Sequence, residues 1–138
     1  MDPTILDTCI LCNNSLETSE HSFFKCSYAN TIWRQISTMI NIPFVDSWQD
    51  LLYWMGKRVR RKYLLSILIK LSWNATIYNI WMERNKRVHL QLFRSESTIL
   101  HEIQFEVKAR MLEFARPRSS SLPMAIAIQW GLEATMTD

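Results

Sequence analysis

Cys9, Cys12, His21 and Cys26 fall within eighteen residues, CILCNNSLETSEHSFFKC, a stretch that holds all three cysteines and one of the three histidines. Two residues separate the first cysteine pair, eight separate Cys12 from His21, and four separate His21 from Cys26. Thiolates and an imidazole suit zinc, and four protein donors close a tetrahedral site without room for a water, as in structural and not catalytic zinc. Free cysteine is also an ordinary small core residue. A second half-site so close to Cys-x-x-Cys favours the metal. Three cysteines cannot all pair as disulfides, and Met1 to Thr8 is too short and too acidic for a secretory signal, so the chain is expected in the nucleus or cytoplasm and not outside the cell.

Other catalytic chemistry finds no support. Two-metal phosphoryl chemistry needs clustered carboxylates, and the seven acidic residues after position 50 are scattered. Two glycines cannot build a phosphate-cradling loop, and His89 and His101 stand on charged stretches without a nucleophile motif. We therefore expect no enzyme and no small-molecule substrate. The charge is the remaining signal. Residues 1–50 carry two basic and six acidic side chains, and residues 51–138 carry fourteen basic and seven acidic. Lys57, Arg58, Arg60, Arg61 and Lys62 occupy five of six consecutive positions, and Arg84, Lys86 and Arg87 form a second group. Such runs are usually solvated surface, but they also suit a phosphate-bearing partner, RNA or single-stranded DNA. Tyr53, Trp54 and Tyr63 lie near the first run, where they could stack on bases or be buried.

These groups must be held by helices. Apolar residues make up 48% of 138, enough for one core, and the scarcity of glycine and proline favours long helices. Ser27 is placed to cap a helix reaching about Ile40, with Ile32, Ile36 and Ile40 on one face. Ser47 to Asp50 resembles a capping box for a short helix that Gly56 would end. A long helix is expected from about Arg61 to Leu92, with Leu64, Leu68, Leu71, Ala75, Tyr78 and Met82 along one stripe. Leu65, Ile69, Trp73, Ile77 and Ile80 form another on the opposite side. A helix apolar on two faces is usually the centre of a bundle, and the alternative is that one stripe takes a partner protein. Lys70, Asn74 and Asn79 exclude a membrane span. Ser95 or Ser97 starts another helix with Ile99, Leu100, Ile103, Val107, Met111 and Phe114 on one narrow face, and Pro117 to Pro123 reads as a linker. The expected fold is mainly α, a small zinc-stapled N-terminal segment followed by a helical bundle with one long central helix. Its divisions are 1–45 (zinc segment and following helix), 46–116 (helical region) and 117–138 (linker and tail).

Cys9, Cys12, Glu17, Thr18, His21, Phe23, Phe24, Cys26, Ala29 and Trp33 together resemble the zinc-binding domain of reverse transcriptases from plant non-LTR retrotransposons. Ile80 to Arg87, IWMERNKR, is similar to a Trp-x-x-Arg-Asn segment downstream in the same elements, with His89 where an aromatic often stands. The resemblance covers about 30 residues at the first stretch. It implies a zinc cofactor and a tail that holds template RNA. Those elements carry a polymerase before the first cysteine, so a chain with eight residues there is expected to be a detached tail. The competing expectations are a protein-interaction module and an expressed remnant without a selected role.

Overall fold

Ile32, Trp33, Ile36 and Met39 recur at helical spacing and bury one face of α1, Ser27–Met39, in the computed structural model, which describes residues 8–58, 64–114 and 122–132. Four further α-helices follow among the described residues: α2 (Trp48–Arg58), α3 (Leu64–Leu90), α4 (Glu96–Phe114) and α5 (Met124–Trp130). A single π turn, His21–Lys25, precedes α1. The described residues contain no strand, only an isolated antiparallel bridge between Thr8 and Leu16. The fold is thus mainly α around one long helix, as expected. No described helix is long and apolar enough to cross a membrane.

At 1.5 Å per residue α3 runs about 40 Å and forms the spine. Gln91, with φ 54°, turns the chain sharply after its end. Ser95 Oγ accepts the backbone N–H of Thr98 and starts α4. α4 then packs back along α3, burying Ile99, Ile103, Val107 and Met111. α1 lies against both. At the C-terminal end of α1, Trp130 of α5 donates its indole N–H to Met39 O at 3.0 Å, and Ile126 and Ala127 are also buried. Gly131 ends α5 at φ 65°, where a Cβ would also meet the Lys108 side chain at 3.0 Å. Residues 122–132 are therefore part of the core, docked as a helix.

The buried line of α3 follows neither apolar stripe. Leu64, Leu68, Ile69, Trp73 and Ile80 are joined by Ser72, Thr76, Asn79, Glu83 and Arg87, while Tyr78 is 54% exposed. Short polar side chains on this face hydrogen-bond back to their own helix: Ser72 to Leu68 O, Thr76 to Ser72 O, both at 2.6 Å, and Asn79 to Ala75 O at 2.7 Å. Satisfied in this way, they can be buried without leaving polar atoms stranded. Two local expectations also change. Ser27 is the first residue of α1 and Cys26 is its cap. Gly56 does not stop α2, which continues to Arg58 with Ser47 Oγ accepting the Asp50 N–H at its start. The expected start of the long helix near Arg61 and most of the expected linker lie outside the described residues.

Phe24 stacks on Trp33 at 5.7 Å and meets Trp48 edge-on at 4.7 Å, while Trp33 meets Trp73 at 6.5 Å. This aromatic column joins the π turn, α1, α2 and α3. The indole N–H groups of Trp33 and Trp73 have no partner among the described residues. Trp73→Ala should therefore destabilise the chain by about 3–5 kcal/mol in urea unfolding. Trp73→Phe should cost less than half as much, because it keeps a ring and removes an unsatisfied donor.

Candidate metal centre

The Cys-x-x-Cys loop is closed by its own backbone. Cys9 N–H bonds to Ser15 O at 2.8 Å and Asn13 N–H to Cys9 O at 2.7 Å. Asn13 takes φ 60°, a left-handed conformation that asparagine tolerates better than most residues. The second half-site depends on the π turn. In an α-helix, residue i+5 lies roughly 140° around from residue i. The wider turn, closed by Cys26 N–H to His21 O at 2.7 Å, brings His21 and Cys26 back to one side. Thr18 starts this turn, its Oγ1 accepting the His21 N–H at 3.0 Å.

The ligand atoms of Cys9, Cys12, His21 and Cys26 all lie within 4.8 Å of one another. Cys9 and Cys26 sulfurs are 3.8 Å apart, and Cys12 Sγ is 3.2 Å from His21 Nε2. Two thiolates at ~2.3 Å from a tetrahedral zinc would stand about 3.8 Å apart, so the cluster fits the ion. Cys9 and Cys26 are buried, and Cys12 and His21 are half-buried. Burial pushes the Cys26 thiol up to about 12, with Cys9 and Cys12 adding to the rise. The Cys12 thiol comes down to about 7: burial opposes this, but hydrogen bonds from the Asn14 backbone and from His21 outweigh it. A metal-free site at neutral pH therefore holds protons that an incoming ion must displace.

The cluster is fastened to α3 from outside. Arg87, 8% exposed, donates from Nη1 to Ile10 O at 3.3 Å and Leu11 O at 3.1 Å, the two carbonyls between the first cysteine pair. Its Nε reaches Glu83 at 2.7 Å and its Nη2 reaches Arg94 O at 3.1 Å, and it lies over the Tyr28 ring. Glu83 is fully buried and also accepts Arg94 Nε and the Arg94 backbone N–H, both at 2.9 Å, while Arg94 reaches on to Glu102. Burial would raise the Glu83 carboxyl, but the Arg94 backbone N–H and the two guanidinium groups hold it below the usual carboxylate range. Arg84 clamps Glu17 through two bonds, at 2.7 and 3.2 Å.

These contacts redefine two of the residues assigned to a phosphate surface. Arg87 faces the interior, and Arg84 is paired with Glu17. Lys86 is half-buried and Lys57 is exposed over the Tyr53 ring at 4.6 Å. Arg58 ends α2, and Arg60, Arg61 and Lys62 lie outside the described residues. Sequence reasoning gave Glu83 and Arg94 no role of their own. The signal available was the i,i+4 spacing of Glu83 and Arg87 on a helix whose neighbouring turns are apolar.

Fold and cluster together define a helical protein with a closed Cys3His zinc-type centre. Residues 1–33 match the family described as zinc-binding in reverse transcriptase. That description covers the zinc-binding part of such enzymes, and no catalytic domain is matched. Comparison with curated proteins and with solved structures returns no match. The segment Ile80 to Arg87 lies beyond the matched residues, yet its Arg84 and Arg87 hold the matched segment in place.

One zinc per chain should copurify, and Cys12→Ser should abolish stoichiometric metal and loosen residues 8–30 in hydrogen exchange, since binding energies of ~10–16 kcal/mol decide folding in small fingers. Zinc titration of the metal-free chain at pH 7 should release protons, and apparent affinity should fall as pH drops, because the raised Cys26 thiol must lose its proton. Glu83→Gln should cost about 3–5 kcal/mol in urea unfolding at pH 7, because two arginines lose their buried partner. The lowered Glu83 carboxyl stabilises the fold above the unfolded glutamate value of about 4.3. That contribution should fade as pH falls below this value, and Glu83→Gln should be less acid-sensitive than the parent.

Proposed function

We propose that the chain is a non-catalytic accessory module, stapled by zinc, that holds RNA or single-stranded DNA by phosphate contacts from its helical part. The supporting observation is where its positive charge remains. Arg84 pairs with Glu17, and Arg87 and Arg94 pair with Glu83 and Glu102, so these six charges cancel. Setting aside those three arginines and the two glutamates of residues 51–138 that they use leaves eleven basic and five acidic side chains there. The run 57–62 supplies five of the eleven. The metal centre itself is a poor partner for phosphate, because three thiolates and one zinc ion sum to a negative charge and Glu20 stands on the adjoining turn. In this reading the finger organises the N-terminal part and the helices carry the electrostatic contact.

A second reading is a protein-interaction module. Tyr78 and Phe105, 54% and 76% exposed, flank a groove between α3 and α4. The two readings separate on one variant. Arg58, Arg60 and Arg61 changed together to Gln should weaken single-strand binding similarly across sequences, because phosphate contacts carry no base information. The salt dependence should flatten by roughly 0.7 per lost contact. Unchanged affinity and slope in a titration series would remove the phosphate role and favour the interaction module.

A further inference from the structure

A groove of about 240 Å³ separates the metal segment from α3, lined by the apolar Leu11, Phe23 and Ile80 and by Glu17, Trp81 and Arg84. It is smaller than the ~300–1,000 Å³ that drug-sized ligands occupy, so it suits a single ring system. Trp81 stays 50% exposed although its neighbour Ile80 is fully buried. Arg84 uses Nε and Nη2 on Glu17 and Nη1 on Asn85, and a guanidinium has five N–H groups, so two remain beyond these contacts among the described residues. Glu17 accepts two of those bonds, and a carboxylate has about four acceptor positions.

An aromatic side chain, spare donors and spare acceptors thus meet at a space of one-ring size. The Arg84–Glu17 pair is neutral as a unit, so the groove is no phosphate site. An unpaired base offers π faces and an edge with both donors and acceptors. We infer that this groove takes one unpaired base of a single strand, stacked on Trp81, with its edge bonded by Arg84 and Glu17. The inference rests on the nucleic-acid reading above and adds to it a base subsite distinct from the basic run.

The test compares a single-stranded thymidine oligomer with an abasic oligomer of equal length and charge, using fluorescence anisotropy on the zinc-loaded full chain. Trp81→Ala should weaken thymidine binding roughly five- to 150-fold, the range of one lost stack. Abasic binding, the salt slope, zinc content and circular dichroism should not change, and Trp81→Phe should retain most of the affinity. Equal affinities of the parent and Trp81→Ala for thymidine, or equal losses on both oligomers, would overturn the subsite while leaving the phosphate reading standing. If the parent chain binds neither oligomer at low salt, the nucleic-acid reading falls and the subsite with it.

Discussion

One buried guanidinium joins the metal segment to the long helix. Arg87 bonds the carbonyls of Ile10 and Leu11, the carboxylate of Glu83 and the carbonyl of Arg94, and it lies over the rings of Tyr28 and Phe93. The loop carrying Cys9 and Cys12, the C-terminal end of α3 and the turn into α4 are therefore read by a single side chain. A lysine could supply charge at this place but not the fork of donors that reaches three separate segments. Because Glu83 answers both Arg87 and Arg94, the position of α4 along α3 is tied to the position of the metal loop.

Energy and specificity divide between these parts. Taking Glu83 and Arg87 out of water is costly, and a buried ion pair often contributes little net stability compared with apolar residues. Its hydrogen bonds have directions, however, so it fixes which carbonyls and which turn come together. Stability comes from elsewhere. The metal segment buries Leu11 and Phe24 but is too short for a core of its own, and it leans on Trp33 and Trp48. Zinc supplies the remaining closure by linking the Cys9 loop to the π turn. The metal and the aromatic column hold the segment folded, and the arginine decides how it sits.

The sequence made some of this legible and hid the rest for physical reasons. Metal ligands are legible because coordination demands particular atoms at short spacing, and Cys9, Cys12, His21 and Cys26 converge as their spacing implied. The helices are legible because periodicity repeats over many residues, and α1, α3 and α4 fall close to where it places them. Which face of α3 is buried was hidden, since Ser72, Thr76, Asn79 and Glu83 look like solvent-facing positions until their bonds are known. Arg84 and Arg87 look like a basic patch for the same reason: Glu17, Ile10 and Leu11 stand 67 to 77 residues away. Only the tertiary fold buries Arg87 and pairs the half-buried Arg84 with Glu17. The docking of α5 depends on Met39 O, another partner that no local pattern announces.

The central claim is that metal closure and the Arg87 contacts form one coupled unit. Amide hydrogen exchange on the zinc-loaded and zinc-stripped full chain tests it most directly. Removing zinc should speed exchange in residues 8–30 and also around residues 83–94, where no metal ligand lies, while the inner face of α4 at residues 99–111 stays protected. Unchanged protection at residues 83–94 on metal removal would contradict the coupling and reduce Arg87 to a passive neighbour of the metal loop.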